Sequence, residues 1–342
     1  MRVLILGGTA FIGAHVTQQL LASGHEVTVF HRGTSFNGAA VLRGDRNRLT
    51  DSIDAFRRLR PDVVIDTVAF TQPQAESLVN VFRGIAKRVV VLSSGDVYRA
   101  NDILFGRVPG SVETTPLTES SPLRERLYPY RGTRIPGVHD FDVDDYDKIL
   151  VERAVLNNSD LPATVLRLPM VYGPGAREAL KRRFFAYLKR MDDGRPAILL
   201  DQRTAKWRAP WGYVGDVAEA LRLAMESERA AGQIYNVCEP IALDMQSWIQ
   251  ELAVAAGWSG RLVVVDEPCP PPSLPRNLNL DQHLDMDTEK IRRELGYRGT
   301  VSQGEALKRN VAWDREHPPI DVDPSQFDYA TEDAILSQHS DH

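Results

Sequence analysis

The chain has 342 residues, 43% of them hydrophobic and 25% charged, which suits a globular enzyme with one large core or two modest ones. Its 41 basic and 46 acidic residues leave a net charge of -5 with no basic tract, so nucleic acid is a poor expected partner. Cys238 and Cys269 form no disulfide framework, no apolar run is long enough to span a bilayer, and no leader-like segment precedes the first strand, so a cytoplasmic location away from membranes is expected.

Residues 3–6 are a short apolar run that stops at Gly7-Gly8. Phe11, Ile12, Val16, Leu20 and Leu21 then recur at helical spacing, Gly24 ends the helix, and residues 27–30 form a second apolar run. Strand, glycine turn, helix and strand open a dinucleotide-binding unit. Gly7 allows a tight turn and Gly13 a close helix–sheet approach, while the free amides around Thr9, Ala10, Phe11 and Ile12 would face a pyrophosphate. Ala10 stands where a G-x-x-G-x-x-G spacing has its middle glycine, and its methyl would push the phosphates slightly outward. The competing reading is the same unit without a ligand.

The second strand ends in His31-Arg32-Gly33. An acidic residue there would accept the ribose hydroxyls of NAD, whereas Arg32 leans the choice toward the phosphate of NADP, unless it is simply a solvated residue. A short strand at 41–43 leads to Asp45-Arg46, an adenine-side loop. A helix at 49–59 and a strand at 62–66 lead to Val68 and Ala69, at the sheet edge where a cofactor would lie. A helix at 74–85 precedes the nearly continuous apolar strand 87–92, typical of a buried parallel sheet. That strand ends in Ser93-Ser94-Gly95-Asp96-Val97-Tyr98. Ser94 either donates to a substrate oxygen or caps a turn, with Asp96 and Tyr98 beside it as candidate substrate contacts.

Residues 99–143 are rich in Pro, Gly and Arg and too long for an ordinary connection, as an active-site lid would be. Arg99, Arg107, Arg124, Arg126, Arg131 and Arg134 are candidate anion ligands, each with a solvated alternative, and Tyr128 and Tyr130 are the notable aromatics. A helix is predicted at 143–157, with Asp144, Lys148 and Glu152 on one face, either functional or a surface ion ladder. After a strand at 163–168, the turn-rich run from Pro169 (cofactor side) through Tyr172 (substrate side) to Gly175 opens a second lobe. There follow a basic helix at 178–190, a strand near 197–200, and an aromatic and cationic surface of Arg208, Trp211 and Tyr213, with Arg208 suited to a phosphate or carboxylate. Asp216 caps a predicted helix at 217–227. Strands at 233–237 and 261–265 flank a helix at 245–256, and the proline run 268–275 should be extended. Helices at 287–295 and 303–317 follow, the latter with Val311 and Trp313 as packing anchors, and then an acidic tail expected to be partly disordered. His15, His25, His31, His139 and His283 show no metal-ligand spacing.

The expected architecture is α/β: a Rossmann-type doubly wound parallel sheet over 1–168 with the inserted loop 99–143, a smaller C-terminal substrate lobe over 169–316, and a tail over 317–342.

Four segments in order carry a resemblance: residues 7–13 (GGTAFIG), 93–98 (SSGDVY), 166–174 (LRLPMVYGP) and 213–218 (YVGDVA). Over roughly residues 1–316 the chain resembles the extended short-chain dehydrogenase/reductase superfamily and its NAD-dependent epimerase/dehydratase group, and in particular the atypical branch that includes chloroplast stem-loop-binding homologues. The resemblance implies NAD or NADP, a C-terminal substrate lobe and often a homodimer built on a four-helix interface. It implies a serine at Ser94 and a Tyr-x-x-x-Lys pair on the helix at 143–157. Registered on Glu152, the lysine is Lys148 and the tyrosine position holds Asp144. Tyr146, two residues late, would point away unless the helix start is displaced. An aspartate starts near pKa 3.9 and, beside a lysine, is a weak base and a poor acid.

Three functions remain open at this level. One is an oxidoreductase with Asp144, Tyr146, Tyr128 or Tyr130 moving the proton; another is an epimerase or dehydratase using a held cofactor on a sugar-like alcohol or ketone. The third is a cofactor-binding protein without redox activity, acting as a binding, regulatory or RNA-associated protein.

Overall fold

The computed structural model describes residues 1–34, 36, 38–133, 143–176, 182–266, 278–320 and 322–339. Its centre is a seven-stranded sheet built from β1 (Arg2–Leu6), β2 (Glu26–His31), β3 (Ala40–Arg43), β4 (Val63–Asp66), β5 (Arg88–Ser94), β6 (Ala163–Leu168) and the edge strand Ile234–Asn236. Every pairing is parallel, and from the late edge strand the order runs β6-β5-β4-β1-β2-β3. The chain winds outward in one direction from β1 and in the other from β4, so the crevice of this doubly wound sheet opens beyond the ends of those two strands.

Alternation along the strands decides the layers. Val3 and Ile5 face one core, together with Val27, Val29, Val63 and Ile65; Leu4 and Leu6 face the other, together with Val64, Val89 and Val91. The first layer is covered by α1 (Phe11–Ala22) and a later helix, Val214–Glu226, which pack against each other. The second is covered by α2 (Ile53–Leu59), α3 (Gln72–Phe82) and, beyond a short α4 (Arg99–Leu104), α5 (Lys148–Leu156). α3 starts with a reciprocal cap in which Thr71 accepts from the Gln74 amide and Gln74 from the Thr71 amide.

The second lobe contains β7 (Met170–Tyr172) paired with β9 (Trp211–Tyr213), and β8 (Ala197–Asp201) paired with β11 (Arg261–Val265), the sheet-edge strand Ile234–Asn236 being β10. Its helices are α6 (Phe185–Asp192), α7 (Gln202–Lys206), α9 (Met245–Ala256), α11 (Gln303–Glu316) and α12 (Tyr329–Gln338), while α8 (Val214–Glu226) and α10 (Glu289–Leu295) pack on the central sheet. Tyr172, Phe184, Trp211 and Trp248 meet as an aromatic cluster at its centre.

Four expectations need correction. α5 begins at Lys148 rather than 143, because Asp147 is its N-cap and accepts from the Ile149 amide at 2.9 Å; residues 143–145 are a separate 3-10 turn. α8 begins at Val214, so Asp216 lies inside it and binds the Thr300 amide and hydroxyl, both at 2.6 Å. The tail is ordered where it is described: α12 docks on β8, and Glu332 is buried against Arg190 at 2.6 Å. The inserted loop is not all irregular, since α4 opens it. The proline run 268–275, Arg134 and the start of the helix expected at 178–190 lie outside the described residues; the rest of that helix is α6.

Candidate active site

The phosphate end of the crevice is shaped by glycine. Gly7 has φ +83°, and a Cβ on Gly13 would stand 2.1 Å from the Gly7 carbonyl oxygen, so a side chain there would drive α1 off the turn. The Thr17 hydroxyl holds the approach by donating to the Gly8 and Gly13 carbonyls at 2.9 and 2.8 Å. Ala10 is the N-cap of α1 and offers its first-turn amides no side-chain acceptor. Those donors suit an anion at a helix N-terminus. At the end of β2 the His31 Nδ1 accepts from the Gly33 amide at 3.1 Å, while Arg32 is exposed and has no ion pair among the described residues. Asp45 caps the following turn through the Asn47 amide. Arg46 crosses to the end of β4 and donates to Asp66 at 2.5 Å and to the Gln74 carbonyl at 2.8 Å. Asp66 also accepts from the Val68 amide. The glycine cradle, the uncapped amides and the unpaired Arg32 together fit a dinucleotide.

Beyond the ends of β4 and β5 the polar groups converge. Ser94 caps the turn after β5, accepting from the Asp96 amide at 3.2 Å, and its hydroxyl is also within hydrogen-bonding reach of the Tyr146 phenol. Tyr146 precedes α5, on backbone that runs into the extended Asp147, so helical rotation does not turn it away. Its phenol donates to Asp96 Oδ2 at 2.8 Å. Tyr130, from the inserted loop, donates to the same oxygen at 3.1 Å. Lys148 is buried and donates to the Ala69 and Leu92 carbonyls at 2.7 and 2.9 Å, which leaves one of its three N–H donors.

Burial sets the titration of this group. It lowers Lys148 to about 8 against the pull of Asp96, Asp66 and Glu152. It raises Asp96, opposed by Arg124 and by the two phenols. Burial and then the adjacent Asp96 raise Tyr146 and Tyr130.

Other predicted residues sit elsewhere. Asp144 is exposed and its carboxylate accepts from the Gly132 amide at 2.7 Å, so it ties down the inserted loop rather than lining the crevice. Glu152 is no part of a surface ladder: it is buried, takes both prongs of Arg167 at 3.0 and 2.8 Å, and accepts from Ser93. Tyr98 is fully buried, with its phenol on Asn236, and packing rather than substrate occupies its ring. Tyr172 is buried in the aromatic cluster and donates to Glu239 at 3.0 Å. Tyr128 uses its amide to bind Asp147 and its ring to carry Arg131. Arg99, Arg107, Arg124 and Arg131 pair with Glu113, Asp102, Asp147 and Asp145, which removes them as ready anion ligands. Arg208 remains half-exposed, 3.5 Å from Asp285. Pro169 packs on Gly212, where a Cβ would be 2.6 Å away. The described residues hold no cluster of His, Cys, Asp or Glu suited to a metal.

Sequence reasoning missed the central place of Asp96 and the late cap at Asp147. The second was readable, because an aspartate before Lys-Ile-Leu-Val is a helix-start signal.

The profile of the NAD dependent epimerase/dehydratase family matches residues 3–130 and 144–238. The chain is 27% identical to 2'-dehydrokanamycin reductase of Streptomyces kanamyceticus over 75% of its own length and 67% of that protein. It is 24% identical to the chloroplast stem-loop binding protein of 41 kDa b of Arabidopsis thaliana over 98% of its length and 84% of that protein. Among solved structures, UDP-glucose 4-epimerase of Thermus thermophilus in complex with NAD superposes with a TM-score of 0.64 at 26% identity, covering 92% of this chain and 99% of that one.

Proposed function

Since the chain belongs to the NAD dependent epimerase/dehydratase family, we propose that it is an NAD(P)-dependent oxidoreductase, epimerase or dehydratase acting on a secondary alcohol or ketone of a sugar-like metabolite. The convergence of Ser94, Tyr146 and Lys148 beside the glycine cradle carries this reading. When bound, the nicotinamide supplies or accepts the hydride. Ser94 orients the substrate oxygen, and Tyr146 exchanges the proton at that oxygen. Lys148 spends its remaining donor on the nicotinamide ribose. The first-turn amides of α1 hold the pyrophosphate, and Arg32 favours a 2'-phosphate. Arg208 is left to hold an anionic part of the substrate. A homodimer through the outer faces of α3 and α5, where Glu76 and Arg153 line one groove, belongs to the same proposal.

The test mixes the purified protein and either dinucleotide with nucleotide sugars and oxidised aminoglycosides, the compound classes of the relatives' names, and follows nicotinamide absorbance for net redox and chromatography of the products for epimerisation or dehydration, which leave the dinucleotide unchanged. Turnover that vanishes in Tyr146→Phe supports the reading; dinucleotide binding without turnover across the panel favours a non-redox binding protein. The RNA-associated alternative follows from the stem-loop binding relative, and the net charge of -5 weighs against it. A salt-dependent RNA mobility shift would revive it.

A further inference from the structure

We propose that Asp96 is the terminal proton acceptor of this site, with Tyr146 its conduit to the substrate and Tyr130 its conduit to solvent. The inference rests on the functional reading above. Its basis is a single oxygen: Asp96 Oδ2 accepts from Tyr146 at 2.8 Å and from Tyr130 at 3.1 Å. The other oxygen, Oδ1, is buried with no hydrogen-bond partner among the described residues. The two tyrosines come from different segments and meet at Oδ2, with ring centres 5.2 Å apart. Tyr146 is buried beside Ser94, whereas Tyr130 comes from the inserted loop and is part-exposed, with the Arg107 guanidinium 5.4 Å from its ring centre.

During alcohol oxidation the substrate hydroxyl proton passes to the Tyr146 oxygen as the phenol proton passes to Asp96 Oδ2. The carbon-bound hydrogen leaves as hydride to the oxidised dinucleotide, so ketone, reduced dinucleotide and Asp96 carboxylic acid are formed together. Asp96 then returns its proton through the Tyr130 phenol to water, and reduction reverses each transfer. No tyrosinate is needed. Ionising Tyr146 would set a second negative charge against the Asp96 carboxylate, and Lys148 already gives two of its donors to backbone carbonyls. The groups facing Asp96 are Arg124 from the inserted loop, Lys148 from α5, and the two phenols; Arg107 and Arg183 face Tyr130. Burial outweighs the cations at Asp96 and holds its carboxyl above the usual range, which suits an acceptor working near neutral pH.

The experiment titrates the full-length protein with ¹³C-carboxyl aspartate by NMR and its phenolates by ultraviolet absorbance, each with and without NAD. The expected result is an Asp96 resonance that titrates above the ordinary carboxylate range, as those of the buried Asp216 and Asp314 also do. That resonance is lost in Asp96→Asn and moves further up in Tyr146→Phe, which removes a donor to the carboxylate but leaves the fold's charges in place. No phenolate dependent on Tyr146 should appear below about pH 9. A Tyr146-dependent phenolate below that pH, or an Asp96 midpoint at or below the ordinary value, overturns the proposal. NADH fluorescence in the same samples keeps the two readings apart: failure to bind overturns the functional reading, while the titrations still decide Asp96.

Discussion

Arg124 donates to Asp147 at 3.2 Å with both side chains wholly out of solvent. Asp147 is also the N-cap of α5 and takes the Tyr128 amide at 2.6 Å. One carboxylate therefore joins the inserted loop to the turn that presents Tyr146 and Lys148. Asp147→Asn removes the carboxylate charge paired with the buried Arg124 and should cost about 3–5 kcal/mol in urea unfolding.

Tyr146 and Asp144 are separable by mutation. Tyr146→Phe should lower kcat by about 10²–10⁴-fold, the range for a lost proton-transfer group. Asp144→Ala should leave kcat within about threefold, because its exposed carboxylate binds the Gly132 amide at the surface. Steady-state kinetics on the first substrate to turn over checks both, and the opposite order would restore Asp144 as the proton-transfer residue.

Lys148 gives a pH signature in stability. Its folded value, about 8, lies below the ordinary 10.5. Between these values the unfolded chain binds more protons than the folded one, so stability should rise with pH across that window. Below about pH 8 the burial cost is present in full. The unfolding free energy of wild type relative to Lys148→Met, measured from pH 7.5 to 10.5, should climb; a flat difference would mean that Lys148 titrates normally.

Arg32→Ala should weaken NADP binding about 10–100-fold, the worth of a charge-assisted hydrogen bond, and change NAD binding little. Calorimetry with the two dinucleotides decides it, and equal losses would place Arg32 outside the 2'-phosphate site.

Glu332→Ala should destabilise the protein by about 3–5 kcal/mol, because Arg190 would lose its carboxylate partner while staying buried. The Arg190→Met, Glu332→Leu pair should recover most of that loss. Thermal unfolding of the three chains is the measurement.

The sheet was legible because its signals are local. Residues 3–6, 27–30 and 87–92 are apolar runs bounded by turn residues, and each is a central strand. The glycine turn was equally clear, since the close approach at Gly13 admits no other side chain. The reaction centre was less legible because its members are joined by cap chemistry and long-range pairing. The apolar pattern of 149–156 extends a helix backwards, and Asp147 competes with Asp142, Asp144 and Asp145 as the cap that stops it. Nor does spacing reveal that Arg167 claims Glu152, or that four loop arginines meet acidic partners. The acidic tail misled for a related reason: α12 is held by Leu336 and by buried ion pairs, which composition does not register.

Tyr130 belongs to the insertion, not to the sheet, yet its hydroxyl completes the Asp96 group. The sheet and α5 supply Ser94, Asp96 and Lys148, and the insertion supplies the last hydroxyl. Replacing the segment between α4 and α5 would take a donor from Asp96 and the Arg124 partner from Asp147 together, so the insertion and the turn before α5 can change only in step.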